Sequence, residues 1–213
     1  MRFRFQDYLP PLGLLLALFA LWELVAWRLN LSYILPAPSA IFLRMASDWP
    51  LLLRHALVTL EEVLLGLAIA FLLGLGMALL IFLSRTIERA LYPLIIAVQN
   101  VPVFAIAPIL VLWLGYGLFS KVAVAALIIF FPLVVNTVDG LRSTDRGLVD
   151  LFKVLEARPS QLLLKLHFPH ALPFILSGCK VGVTLAVVGA VIGEWVGSNA
   201  GLGFLMVQAN ARL

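Results

Sequence analysis

Residues 150–174 read DLFKVLEARPSQLLLKLHFPHALPF, the most charged and most broken stretch of an otherwise apolar chain. Leading into it, Leu148, Leu151, Phe152 and Leu155 recur at i, i+3, i+4 and i+7, which lays an apolar stripe along one face of a helix. Ser143 or Thr144 is the expected N-cap. The helix is too short to cross a bilayer, which takes about 20 apolar residues. After Ala157-Arg158-Pro159-Ser160, a second piece sets Leu162, Leu163 and Leu166 against Gln161 and Lys165, and is expected to end at Pro169. A helix pair of this kind either lies in the lipid interface or docks into a groove of a partner.

Around that stretch, 63% of the 213 residues are apolar and 12% charged, with a mean hydropathy of +1.09. A soluble domain carries about 45–50% and about 25%. The bilayer is therefore the main solvent of this chain. Apolar runs predict spans at residues 12–29, 58–83, 93–114, 122–138 and 174–196, each long enough, with tilt or a short flank, for a hydrocarbon core of about 30 Å. A span in lipid satisfies its own backbone only as a helix, so the expected fold is all-α. It is a single polytopic bundle over residues 1–213, with a loop outside the membrane at 139–171. Arg2 and Arg4 ahead of the first run also fit a secretory signal. That run is too long for a typical signal and no small-residue cleavage site follows it directly, so a retained first span is expected.

With the N-terminus in the cytoplasm, Arg2, Arg4, Arg85, Arg89, Arg142, Arg146, Lys153, Arg158 and Lys165 fall inside, against Arg28, Arg44, Arg54, Lys121 and Arg212 outside. Membrane insertion favours that asymmetry. The 150–174 stretch is then cytoplasmic and residues 30–56 external. In the external segment Pro36, Pro38 and Pro50 are expected to break any long helix and leave an ordered crossover. Glu23, Glu61, Glu62 and Glu194 are expected toward the outer ends of their spans, so no midplane relay of ionisable groups is expected.

Small residues recur every four positions at Gly66, Ala70, Gly74 and Ala78, again at Gly178, Gly182, Ala186 and Ala190, and along a second ridge at Gly189, Gly193 and Gly197. This spacing lets helix backbones approach closely in lipid. The third span carries Pro93, Pro102 and Pro108 around VQNVPVFAIAPIL, where kinks are expected. Irregular backbone at membrane depth is tolerated only against protein or a wet cavity. Gln99, Asn100 and Pro102, with Asn136 and Thr137 of the fourth span, are therefore candidates to line a translocation path, with plain interhelical hydrogen bonding as the alternative.

Several functions lack their residues. The net charge of +4 does not point to nucleic acid, because the basic residues flank apolar spans rather than interleave with exposed aromatics. Cys179 is the lone cysteine and lies in an apolar run, which makes it a packing residue. No zinc-protease, nucleophile-elbow or phosphate-loop motif occurs, so no catalytic residue is expected. His167 and His170 stand three apart with Pro169 between them, and no further Cys or His completes a metal site. A secondary transporter would be expected to show an internal repeat or a midplane ionisable group, and a channel a filter.

The run from Asp150 to Ala157, followed by LPFILSG at 172–178, resembles the E-A-A-x-x-x-G coupling loop of ABC importer permeases. LPAPSAI, SRTIERALYPLI, PVFAIAPILVLWLGYG, FFPLVVNTVDGLRS and GEWVGSNAGLGFLM extend the resemblance over nearly the whole chain, to the nitrate, sulfonate and taurine group. The resemblance implies a type I importer permease in the inner or plasma membrane, paired with a second copy. It implies that Asp150, Leu151, Phe152, Leu155, Glu156, Ala157, Pro159, Leu172 and Pro173 form a coupling loop seated in a separate cytoplasmic ATPase subunit. It also implies that an extracytoplasmic binding protein delivers the substrate, that ATP is bound by the ATPase, and that the permease holds no cofactor or metal. TVDGLRS with GEWVGSNAGLG is most similar to importers of a thiamine pyrimidine precursor or of riboflavin, with sulfonate, taurine or nitrate as the alternative. Departures are Glu156 at the family's turn glycine, Leu151 and Phe152 at its alanine pair, and an end at Leu213 where the family adds a final span. A degenerate subunit that assembles without transporting is the second alternative.

Overall fold

The computed structural model describes residues 9–31 and 33–211, so Arg2, Arg4 and Arg212 lie outside the described residues. All regular structure among the described residues is helical. Among the described residues four helices are long and apolar enough to cross a membrane, and a bent pair makes a fifth if counted as one span. The chain divides into two compact units, Met1–Arg54 with Ala211–Leu213, and His55–Asn210.

In the first unit, α1 (Leu9–Leu29) is followed by Asn30 at φ 51°, one of the few non-glycine residue types that tolerate a left-handed backbone. α2 (Pro38–Ser47) follows, and the Glu23 carboxylate accepts from the Ser39 hydroxyl at 2.6 Å and the Ser39 N–H at 3.0 Å. The expectation that Pro50 breaks any long helix here is corrected, whereas the segment at Pro36 and Pro38 holds only the ten-residue α2. Pro38 opens α2, and Pro50 is the second residue of α3 (Trp49–Leu83), which starts nine residues before the expected position 58 and runs for 35 residues. In a first turn the missing N–H of proline has no intrahelical acceptor to lose.

In the second unit, α3 continues and Ser84 caps α4 (Arg85–Val98) by accepting from the Ile87 N–H. The expected span at 93–114 is not one continuous helix. α4 and α5 (Val103–Leu114) meet at 105° across a four-residue break. Pro93 and Pro108 sit inside their helices, and the break falls ahead of Pro102, whose ring disfavours helical geometry at Val101.

α6 (Leu118–Arg142) is the axis of this unit, with α3 on one side and α9 (Phe168–Gly197) on another. A Cβ on Gly66 would lie 2.8 Å from the Ala125 Cβ, and one on Gly189 would lie 3.0 Å from the Ala125 Cα, so Ala125 is clasped between two glycines. Gly182 meets Ile129, and Gly193 meets the Lys121 backbone, in the same manner. Without a hydrophobic drive between helices in lipid, this close packing supplies the attraction. α7 (Arg146–Val154), α8 (Pro159–Leu162) and α10 (Leu202–Asn210) complete the unit.

The second helical piece does not end at Pro169. A π-turn at Leu163–His167 joins α8 to α9, giving one helical run, Pro159–Gly197. In a regular α-helix the ring of Pro169 would clash with the carbonyl four residues back, that of Lys165, and the turn just ahead of it is widened, with the Phe168 N–H donating to the Leu163 carbonyl.

Candidate functional site

The helix pair of residues 146–162 is built by local chemistry. α7 is capped by the Asp145 carboxylate, which accepts from the Leu148 N–H at 3.0 Å, and not by Ser143 or Thr144. Thr144 is buried, donates to the Leu141 carbonyl at 3.1 Å, and lies 2.9 Å from His167 Nδ1. Leu148, Leu151, Val154 and Leu155 form an exposed apolar stripe, whereas Phe152 is half-buried. Asp150 is exposed and paired with Lys153 at 3.0 Å. α7 then closes in a Schellman turn, with Glu156 N–H donating to Lys153 O at 2.9 Å and Ala157 N–H to Phe152 O at 3.0 Å. Glu156 occupies the left-handed position of that turn, at φ 53°. Pro159 starts α8, and the Arg158 N–H is satisfied by Gln161 Oε1 at 2.9 Å.

Leu172 and Pro173 sit well inside the continuous run rather than at a helix start. Near them, a Cβ on Gly140 would lie 2.6 Å from the Phe174 Cβ, so α9 begins pressed onto the end of α6. The arm therefore has an exposed apolar handle, a tight turn, and an unbroken helix leading into the bundle.

Gln99, Asn100 and Pro102, at the bend between α4 and α5, line a cavity of about 590 Å³ with Phe131 and Pro132 of α6 and Leu185 of α9. Asn136 and Thr137 are not among its lining residues. Asn136 Nδ2 donates to the Pro132 carbonyl at 2.7 Å, and Thr137 is fully buried with its hydroxyl unpartnered.

A polar cluster at the opposite end of α9 from the arm was not legible in the sequence. Glu62 is fully buried and accepts from Lys121 Nζ at 2.9 Å. Glu194, 2% exposed, accepts from the Thr59 hydroxyl at 2.6 Å and from the Gly203 N–H, while Thr59 Oγ1 accepts from the Leu202 N–H at 2.9 Å. His55 Nδ1 accepts from the Gly201 N–H at 2.9 Å. These side chains satisfy the free N–H groups that open α10. Gly201, at φ 111°, and Gly203 lie where any Cβ would collide with Glu194. Lys121, counted among the basic residues on the outer side, is a buried partner of Glu62. Its only sequence signal is that a buried glutamate needs a cation.

Lys180 is a further ionisable residue within a span. It lies within α9 among apolar residues, six positions beyond Phe174, and among the described residues it forms no ion pair.

The fold is a helical membrane bundle with a cavity at the α4–α5 bend and an exposed helix–turn–helix arm. The chain belongs to the family described as binding-protein-dependent transport system inner membrane component, whose profile matches residues 70–213. It is 46% identical over 206 residues to a probable ABC transporter permease protein of Haemophilus influenzae, covering 96% of this chain and 84% of the relative. It is 44% identical to the formylaminopyrimidine transport permease protein of Halalkalibacterium halodurans, covering 94% and 81%. Against the riboflavin transport system permease protein of Chloroflexus aurantiacus it is 40% identical, covering 92% and 76%. The chain is thus an ABC transporter permease, and the long apolar helices are its transmembrane helices.

Proposed function

We propose that this permease is the membrane subunit of an ATP-driven importer, with its N-terminus and the α7–α8 arm in the cytoplasm. Two copies pair, cytoplasmic ATPase subunits receive the arms, and an extracytoplasmic binding protein delivers the substrate. The arm carries this reading. Its exposed stripe of Leu148, Leu151, Val154 and Leu155 offers apolar area to a cleft, and the helix that follows the turn runs without a break into α9. Closure of an ATPase dimer around two such arms becomes rigid-body rotation of the bundle. The chain makes and breaks no bonds, and hydrolysis belongs to the ATPase.

For the cargo, we favour a thiamine pyrimidine precursor or riboflavin. Support comes from the 44% and 40% identities to permeases named for formylaminopyrimidine and riboflavin. The cavity at Gln99 and Asn100 is the corresponding path. The test is ATP hydrolysis by the complete importer, reconstituted with its ATPase and binding protein and offered formylaminopyrimidine, riboflavin, taurine, an alkyl sulfonate and nitrate in turn. Stimulation by either of the first two is expected. Stimulation by a sulfonate or by nitrate alone would reassign the cargo, and an assembled complex that answers to none would make the chain a non-transporting subunit.

A further inference from the structure

Lys180 sits about 9 Å along the helix from Phe174 and about 21 Å from Glu194, at ~1.5 Å per residue. Its neighbours on the same face, Ser177 and Thr184, are three positions before it and four after it, and together they line a groove of about 430 Å³ along α9. The other face of α9, through Gly178, Gly182, Ala186 and Gly189, is packed within the bundle, so the polar stripe points away from α6. All the groove's lining residues belong to α9, and one of them, Leu185, also borders the cavity at Gln99. A lysine at membrane depth is expensive to keep charged unless it faces water or an anion. The nearest acid along α9, Glu194, is already held by Thr59 and Gly203. Thr184 spends its proton on the Lys180 carbonyl at 2.8 Å.

We propose that Lys180, flanked by Ser177 and Thr184, is a water-accessible station in the transport path that receives an anionic or strongly polarised oxygen of the passing substrate. This rests on the permease reading above and adds a chemical requirement to it. A sulfonate, a carboxylate or a heterocyclic carbonyl is accepted by an ammonium that has three donors and no acceptor, and a cation is repelled. The station lies next to the cavity at Gln99 and Asn100, so a substrate leaving that cavity along α9 meets it.

The test measures the electrostatic potential beside Lys180 without any substrate. In a Cys179→Ala background, Thr184→Cys is labelled in proteoliposomes of the purified chain with two thiol-specific methanethiosulfonates, one bearing a sulfonate and one a quaternary ammonium. The ratio of negative-reagent to positive-reagent rates is expected to fall roughly five- to tenfold on adding Lys180→Gln, as expected for a unit charge about 7 Å away in a watery path. Lys180→Arg should preserve it. Ser177→Cys gives the same readout one turn away if Thr184→Cys does not fold. A cysteine that reacts with neither reagent, or a ratio indifferent to Lys180→Gln, overturns the proposal. Neither ATPase nor binding protein is present, so failure here is separate from failure of ligand-stimulated hydrolysis, which bears on the importer reading.

Discussion

Glu156 holds the left-handed position of the Schellman turn with a side chain ill-suited to it, at φ 53°. A residue with a Cβ gives up roughly 1–2 kcal/mol there, and a carboxylate at a helix C-terminus loses a further ~0.3–1 kcal/mol against the dipole. Glycine relieves both but loses more freedom on folding, so Glu156→Gly should gain about 1 kcal/mol and, on the proposed docking of the arm, bind the ATPase several-fold more tightly in a titration. Weaker binding would mean that the carboxylate makes a favourable contact with the partner. Lys121 and Glu62 offer the converse case, with side chains 9% and 0% exposed. Lys121→Met strands a buried carboxylate and should cost about 3–5 kcal/mol in detergent unfolding, whereas Lys121→Met with Glu62→Leu should recover most of that loss. The turn at Glu156 was legible only through the resemblance to the permease coupling loop, whose pattern carries glycine at that position. The Lys121–Glu62 pair was not, because its members are 59 residues apart and nothing near either names the other.

Among elements, the contact of α6 with α9 has the least room. A Cβ on Gly182 would lie 2.7 Å from Ile129 Cγ2, while Gly76 of α3 has nothing within 4 Å. Gly182→Val should therefore separate the helices and lose ~1–3 kcal/mol, whereas Gly76→Ala should be neutral or gain up to about 1 kcal/mol, both read by thermal unfolding in detergent. Equal effects would show that the close approach is not what holds the pair. The four-residue spacing at Gly178, Gly182 and Ala186 announced a packing face, since a helix repeats its faces at that period. It did not announce the π-turn at Leu163–His167. That turn answers to Pro169 within a helix already pressed onto α6, and a proline read alone predicts an ending.

For the whole molecule, the proposed orientation puts Asp48 and Lys153 on opposite sides of the membrane. A membrane-impermeant thiol reagent applied from outside intact cells should modify Asp48→Cys and spare Lys153→Cys in a Cys179→Ala background, and the reverse pattern would sink both the topology and the importer reading. Helical class, membrane residence and the amphipathic arm were readable from the chain alone, because hydropathy and a 3.6-residue period act within about twenty neighbouring residues. Tertiary structure decided which polar groups meet. Thr59 reaches Glu194 across 135 residues, the N–H groups opening α10 find Glu194, Thr59 and His55, and Asn136 turns back to its own helix instead of lining the cavity. In lipid an unsatisfied polar group costs several kcal/mol, so each takes whatever partner the packed helices bring within reach, and that choice is made only when α3, α6 and α9 come together.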